Sequence, residues 1–152
     1  MNYQNLLGRP FEHGIQDCYT LARDFYRQNF DLHLADYARP NQWWENGLNL
    51  YMDNFRAEGF ELVDDLRPRI GDAFLLAIHS EVPNHAAIYV GDGEIIHHLY
   101  GRLSRKELYR GAWSSMECAR LRHPSVAAEE KIEYMPATDL LTDIQKRRLS
   151  ND

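Results

Sequence analysis

The sequence predicts an α+β fold in which helices pack on one face of an antiparallel sheet. Two segments with apolar residues at helical spacing come first along the chain. They are followed by short runs that are rich in β-branched and aromatic residues and separated by Pro, Gly or Asp. Helices that precede a block of strands are typical of α+β rather than of an alternating α/β fold.

The first predicted helix lies in QDCYTLARDFYRQNF. Its apolar residues recur at helical spacing: Leu21, Ala22, Phe25, Tyr26 and Phe30. Asp17 is a good N-cap residue, which places Cys18 in the first helical turn. A second helix is expected within NQWWENGLNLYMDNFRAEG, where Gly59 suits the C-cap. One apolar face of this helix is formed by Trp44, Leu48, Tyr51, Met52 and Phe55.

The strands are expected in the runs FELV, DAFLLAI, HAAIYV, EIIHHLY and ECARLRH. Between the last two, Ser104-Arg105-Lys106-Glu107 resembles a capping box that opens a short helix. The chain from Pro124 is more polar, so we predict a domain over 1–123 and a C-terminal extension over 124–152 that binds a partner. Within the extension, PATDLLTDIQKRRL is compatible with a short terminal helix, with Leu140, Leu141 and Ile144 on one side.

Composition excludes several classes of function. A chain of 152 residues with net charge −6 suits one domain and gives no electrostatic case for nucleic-acid binding. No apolar run reaches transmembrane length, and MNYQNLLGRPF lacks the features of a secretory signal, so synthesis in the cytoplasm is expected. The two cysteines and the absence of CxxC indicate neither a disulfide framework nor a structural zinc cluster.

Cys18 is the strongest candidate for a nucleophile. A thiol at a helix N-terminus lies at the positive end of the macrodipole, near free N–H groups that favour a thiolate or an oxyanion. Most isolated cysteines are instead small buried residues, and that interpretation is kept for Cys118. A cysteine nucleophile also needs an imidazole base and an orienting polar group, and His85, His97 and His98 offer both.

The turn of the hairpin HAAIYVGDGEIIHH decides which histidine lies beside His85. Neighbouring strand residues face opposite ways, so only one of His97 and His98 shares that face. A two-residue turn at 92–93 favours His98, whereas a three-residue loop over 91–93 favours His97. Turn chemistry alone leaves both registers open, because Asp-Gly suits the short turn and a final glycine suits the long one.

Several motifs together resemble the NlpC-type papain-like cysteine peptidases of bacterial cell walls. They are DCYTL, the GD of LRPRIGDAFLL, and NHAAIYVGDGEIIHH. The pieces GRPF, WW, NLYMDNF and HHLYGRLSR also resemble the subgroup found in tail-tip assembly proteins of lambda-like phages. The match runs from about Leu7 to His123, most of the chain.

The resemblance implies a papain-like fold with Cys18 as the nucleophile, His85 as the general base and His97 as the orienting group. In the family the second histidine follows the first by twelve positions, as His97 follows His85. The resemblance also implies that Asp17 contacts the free amine of a stem peptide, with Tyr19 beside it at the substrate. Tyr19-Thr20 replaces the Ser-Gly of many relatives, and Leu6 stands where many have Tyr.

The implied function is an endopeptidase that cuts peptidoglycan stem peptides at the γ-D-glutamyl–diaminopimelate bond. It would act without a cofactor or metal at a phage or prophage tail tip, in wall penetration or in tail assembly. Its partners would be stem peptides and other tail-tip proteins, with no nucleic-acid specificity and no membrane span.

Two other interpretations remain open, and a third, nucleotide binding, is weaker. The chain could be a non-catalytic structural component of a tail tip, since a fold can keep its site after losing its function. Cys18 and two histidines could instead hold Zn²⁺ with one open position. The GDG turn lacks the context of a nucleotide site.

Trp43 and Trp44 are expected to be one core residue and one surface residue, and a substrate or partner contact is the alternative.

Overall fold

A computed structural model describes residues 1–126. The order of elements is α1 (Cys18–Phe30), α2 (Leu50–Asn54), β1 (Glu61–Leu62), β2 (Ala73–Leu76), β3 (His85–Gly91), β4 (Glu94–His97), β5 (Arg105–Leu108), α3 (Ala112–Ser115) and β6 (Glu117–Arg122). Short 3-10 helices cover Gln4–Leu6 and Trp43–Asn46. The predicted terminal helix lies outside the described residues.

The six strands form one antiparallel sheet in the order β1–β6–β2–β3–β4–β5. Helix α1 packs against β3 near the middle of this sheet. The predicted α+β fold with an antiparallel sheet and Cys18 at a helix N-terminus is therefore confirmed.

The sheet is covered on both faces, to different depths. The main core combines α1 and α2 with alternate strand residues such as Leu75 and Ile88. On the opposite face, Phe74 and Ile95 belong to a smaller cluster that includes Trp113 of α3. Because strand side chains alternate between faces, β2 is buried along its whole length.

The second helix is shorter than its apolar pattern suggests. The chain forms a 3-10 turn over Trp43–Asn46, and Gly47 then adopts a positive φ of 83°. The left-handed Gly47 ends this 3-10 turn. Regular α-helix begins only afterwards, over Leu50–Asn54. The predicted apolar face is therefore correct only in part: Tyr51 and Phe55 are buried, whereas Trp44, Leu48 and Met52 are half-buried. Trp43 and Leu50, which were not assigned to that face, are buried as well.

The capping-box interpretation of residues 104–107 is wrong. Arg105–Leu108 forms β5 and pairs with β4, with Ile95 opposite Glu107 and His97 opposite Arg105. The S-x-x-E signature is local, whereas pairing with an exposed sheet edge satisfies the backbone along the whole segment. The pairing of β5 with β4 places Glu107 beside the histidine hairpin.

Candidate active site

Cys18 is the first residue of α1. Asp17 acts as the N-cap, and its Oδ1 accepts a hydrogen bond from the Thr20 backbone N–H at 3.0 Å. The Cys18 Sγ lies 3.2 Å from the Tyr51 hydroxyl, and the backbone N–H of Ala86 is also close to the sulfur. Because Ala86 follows His85 at the start of β3, the thiol lies at the strand end that carries the predicted base.

The thiol is protonated at neutral pH. Burial, followed by the negative charge of Asp17, raises the pKa of Cys18 to about 11, although Tyr51, the Ala86 N–H and Arg39 act in the opposite direction. The helix N-terminus was expected to favour the thiolate, but here the desolvation of a buried sulfur is the larger effect. Chemistry at this thiol therefore requires a base that removes its proton.

The hairpin combines features of both turns considered from the sequence. Asp92 and Gly93 form a two-residue turn with φ values of 56° and 73°, and Gly91 pairs with Glu94. Val90 is then an extra residue, because Tyr89 pairs with Ile95. This β-bulge shifts the register by one residue.

The shifted register brings His85 and His97 together. Ala87 lies opposite His97, so His97 shares a sheet face with residue 85, two positions from Ala87. The His85 Nε2 lies 2.9 Å from the His97 Nδ1, and both rings are buried. Burial, with His97 and His98 nearby, lowers the pKa of His85 to about 3, so its imidazole is neutral and available as a base at neutral pH.

A carboxylate extends the pair beyond what the sequence analysis identified. The His97 Nε2 lies 2.7 Å from the Glu107 Oε2, which also accepts a hydrogen bond from the Arg105 Nε at 2.7 Å. The Trp113 Nε1 donates to the Glu107 Oε1 at 2.7 Å. RKEL has no alternation of polar and apolar residues that would indicate a strand, and its capping-box pattern indicated a helix instead.

His98 lies on the other face of the strand end. Its Nε2 donates to the Arg102 backbone carbonyl at 2.8 Å, and its ring contacts Phe11 edge to face at 5.3 Å. It is 1% exposed, which makes it a packed residue as well as a lining residue of the cleft.

Asp17 is part of a buried charge network. Its Oδ2 accepts hydrogen bonds from the Arg39 Nε at 2.8 Å and the Gly14 N–H at 3.0 Å. Its Oδ1 accepts from both the N–H and the hydroxyl of Thr20. Four donors occupy the four lone-pair positions of a carboxylate, so a substrate amine at Asp17 would have to displace one of them.

Tyr19 lies on the interior side of α1. Its hydroxyl donates to the Ala35 carbonyl at 2.5 Å, and the Arg39 guanidinium stacks over its ring at 5.0 Å. The ring also contacts Tyr51 at 6.0 Å. Tyr19 lines a small apolar cavity in the core, whereas the cleft that contains Cys18 is lined by other residues.

That cleft has a volume of about 520 Å³. Cys18 and His85 both line it, together with Asp17, His98, Trp43, Trp44, Phe11, Tyr100 and Trp113. Trp43 is buried and Trp44 is half-buried, as expected, and both contribute to its wall. The cleft therefore joins a thiol and an imidazole pair to an aromatic surface that suits an extended organic substrate.

Within residues 1–126, no group of three or more His, Cys, Asp or Glu side chains is arranged to hold a metal ion. In the same part of the chain, no helix has the length and apolar character required to cross a lipid bilayer.

Sequence comparison identifies relatives over most of the chain. The model of the NlpC/P60 family matches residues 8–122. The chain is 45% identical over 119 residues to the tail tip assembly protein K of Escherichia phage lambda, covering 78% of this chain and 59% of that protein. It is 35% identical over 127 residues to the tail tip assembly protein K of Escherichia phage N15, covering 82% of this chain and 52% of that protein. The chain thus spans little more than half the length of these relatives.

Solved structures support the same fold. The NlpC/P60 domain of the peptidoglycan hydrolase SagA superposes with a TM-score of 0.53 at 16% identity, covering 78% of this chain and 90% of that one. An NlpC/P60 family protein from Bacillus cereus gives a TM-score of 0.51 at 19% identity, covering 77% of this chain and 36% of that one. With a family match over residues 8–122 and a cysteine at the start of α1, the chain belongs to the NlpC/P60 family of papain-like cysteine peptidases and hydrolases.

Proposed function

We propose that this chain is a cysteine endopeptidase that cleaves peptidoglycan stem peptides, with Cys18 as the nucleophile, His85 as the general base and His97 as the orienting group. The observation that carries the proposal is the 2.9 Å contact between His85 and His97 beside a cleft that also contains Cys18. The bond proposed for cleavage is the γ-D-glutamyl–diaminopimelate linkage.

In the resting site the Cys18 thiol is hydrogen-bonded to Tyr51. Rotation about χ1 turns Sγ toward the cleft and His85. Because the Nε2 of His85 is engaged with His97, the Nδ1 of His85 takes the thiol proton as Sγ attacks the scissile carbonyl carbon. Free backbone N–H groups at the start of α1 are available to the resulting oxyanion.

Collapse of the tetrahedral intermediate breaks the amide bond, and the leaving amine takes the proton from His85. A water molecule then gives a proton to His85 as its oxygen attacks the Cys18 thioester, the C–S bond breaks, and the departing sulfur takes that proton back, which restores the thiol and the neutral imidazole. A neutral thiol and a neutral imidazole at rest fit this general-base route, in which the proton leaves as the bond forms.

Asp17 and Tyr19 support the site in this proposal. Asp17 lines the cleft and remains a candidate contact for a substrate amine, but its present partners make its first role that of holding Arg39 and the start of α1. Tyr19 packs under Arg39 and Tyr51 and so acts on the site through them.

The phage relatives support a place for the chain in a tail tip. Both have names that describe tail tip assembly, and they match at 45% and 35% identity. We propose that the chain contacts other tail-tip proteins and acts there on the wall or during assembly. A structural component without catalysis is the outcome to be distinguished by experiment.

Digestion of purified muropeptides tests the activity. Wild-type protein should release fragments cut between D-glutamate and diaminopimelate, as identified by mass spectrometry. Cys118 is exposed, so its interpretation as a buried residue was wrong. The assay should therefore use a Cys118→Ser background, in which iodoacetamide acts on Cys18 alone. Intact muropeptides after incubation with folded protein would favour the structural role.

The two adjacent histidines should respond differently to replacement. His97→Ala removes the group that orients His85 and should lower the cleavage rate by roughly ten-fold or more. His98→Ala should cost less activity but should lower the melting temperature, since His98 is buried against Phe11 and Arg102. Rates on muropeptides and thermal melts of both variants check this, and a larger rate loss for His98→Ala would contradict it.

The extension should serve attachment rather than catalysis. Deleting 135–152 should leave the isolated domain active and weaken its incorporation into tails. Truncation after 123 should instead destabilise the domain by about 2 kcal/mol, since it removes Val126, which is fully buried beside Gly71. Urea unfolding and muropeptide cleavage distinguish the two truncations. If the protein without 135–152 is inactive, the extension is part of the catalytic domain.

A further inference from the structure

Both carboxylate oxygens of Glu107 accept hydrogen bonds from groups that can only donate. Arg105 and Trp113 are donors at every nitrogen they present, and they bond to Oε2 and Oε1 respectively. Partial burial by itself raises the pKa of Glu107, but the hydrogen bonds from Arg105, His97 and Trp113 outweigh it and lower that pKa to about 2. Glu107 is therefore ionised at neutral pH, and it only accepts hydrogen bonds.

An acceptor-only partner determines where His97 carries its proton. The Glu107 Oε2 lies 2.7 Å from the His97 Nε2, so that nitrogen must be the donor. In a neutral imidazole the other nitrogen, Nδ1, then has a free lone pair. The contact between His97 Nδ1 and His85 Nε2 at 2.9 Å must accordingly be donated by His85.

The proton position on His97 also determines which nitrogen of His85 is available to the Cys18 thiol. When the Nε2 of neutral His85 holds the proton, its Nδ1 is unprotonated and can accept the proton of the Cys18 thiol. Without a fixed partner at His97, the two imidazoles could reverse their hydrogen bond. His85 would then carry its proton on Nδ1 and could not act as the base.

We infer that Glu107 is a positioning residue that fixes the tautomers of His97 and His85 and so holds His85 in the form that accepts a proton from Cys18. This inference rests on the proposed catalytic roles of Cys18, His85 and His97. It adds a fourth side chain, from a different strand, to the three that the sequence indicates.

The negative charge of Glu107 also favours the protonated form of His85 that arises during the reaction. When His85 becomes an imidazolium, its Nε2–H points along the chain His97–Glu107 toward a fixed negative charge. The carboxylate stabilises that cation without taking its proton, because His97 stays between them. The ring of Trp113 also packs edge to face on His97 at 5.1 Å, which limits rotation of the imidazole.

Glu107→Gln is the informative substitution. The isosteric amide has one accepting and one donating end, so it cannot accept from His97 and Arg105 at one end and from Trp113 at the other. If its NH₂ faces His97, it must donate to Nε2 and thereby move the His97 proton to Nδ1. The His97 Nδ1 then donates to the His85 Nε2, so the proton of neutral His85 lies on its Nδ1. That nitrogen can no longer accept the proton of the Cys18 thiol.

Glu117→Gln provides the matched control. Glu117 also has a side chain that is 21% exposed, and it bonds to an aromatic hydroxyl and an arginine, Tyr109 and Arg120. Its contacts do not include the His85–His97 pair. General loss of a carboxylate network should therefore affect both variants, whereas loss of tautomer control should affect only Glu107→Gln.

The experiment combines nitrogen-15 NMR of the histidine side chains with kinetics on muropeptides. In the wild type, His85 and His97 should both be protonated at Nε2. Glu107→Gln should populate the Nδ1-protonated forms and lower kcat by about 10- to 100-fold with little change in KM, and Glu117→Gln should do neither.

The inference is overturned if wild-type His97 carries its proton on Nδ1, or if Glu107→Gln loses activity while it keeps the wild-type tautomers. The first measurement needs no variant, so it holds even if Glu107→Gln fails to fold. Wild-type protein with the expected tautomers but no cleavage would count against the proposed function and leave the proton arrangement established.

Discussion

Replacing Cys18 with alanine is expected to reduce stem-peptide cleavage to the level of a control without enzyme. The substitution removes the nucleophile, and a site that works through a covalent thioester has no alternative route, so the loss should exceed about 10³-fold. Product release from muropeptides, followed by mass spectrometry, measures it. Cleavage that survives in Cys18→Ala would assign the chemistry to another residue.

The control for this experiment is Cys18→Ser. Alanine leaves the buried Tyr51 hydroxyl without its partner, which costs about 1–3 kcal/mol, whereas serine keeps a polar atom near the position of Sγ. Serine should therefore retain the thermal stability of the wild type and still lack activity. Unfolding of both variants would identify Cys18 as a structural residue instead.

Replacing His85 with alanine is expected to lower the cleavage rate by about 10²- to 10⁴-fold, the contribution typical of a general base. The need for a base is strong here, because the pKa of Cys18 is raised to about 11 and the thiol does not ionise by itself at neutral pH. Added imidazole should restore part of the rate, since the side chain lines an open cleft. His33→Ala, a change at an exposed loop residue, should leave the rate unchanged.

The same variant should change the response of the fold to acid. The pKa of His85 is about 3 in the folded protein, whereas the ordinary value of 6.5 applies in the unfolded chain. As pH falls, the unfolded chain therefore binds this proton before the folded protein does. The contribution of neutral His85 to stability is therefore complete above pH 6.5 and is lost progressively between pH 6.5 and about 3. Urea midpoints across this range should fall less steeply for His85→Ala, and an unchanged slope would contradict the depressed pKa.

Local patterns in the sequence were sufficient for the elements that carry the reacting groups. The apolar spacing from Leu21 to Phe30 and the capping side chain of Asp17 predict α1 and place Cys18 in its first turn, as the structure has them. The runs HAAIYV and EIIHHLY likewise predict the hairpin. Each of these features depends on neighbours in the chain, which a sequence displays directly.

The proton arrangement of the site depends on contacts between distant residues. The choice between His97 and His98 follows from the bulge at Val90, because a one-residue shift exchanges the two faces of a strand. The turn at 92–93 alone does not specify that bulge. Position 107 faces His97 only because Arg105–Leu108 pairs with β4, against its local helix-capping pattern.

The sequence by itself therefore determined the α+β class, the cysteine at the head of α1 and the histidine hairpin, because these arise from local periodicity, capping and turn residues. The tertiary structure decided which groups meet. It brought His97 to His85 and Glu107 to His97, and it buried Cys18 against Tyr51 deeply enough to raise its pKa. Strand register, sheet order and desolvation are properties of the packed chain, and only the fold supplies them.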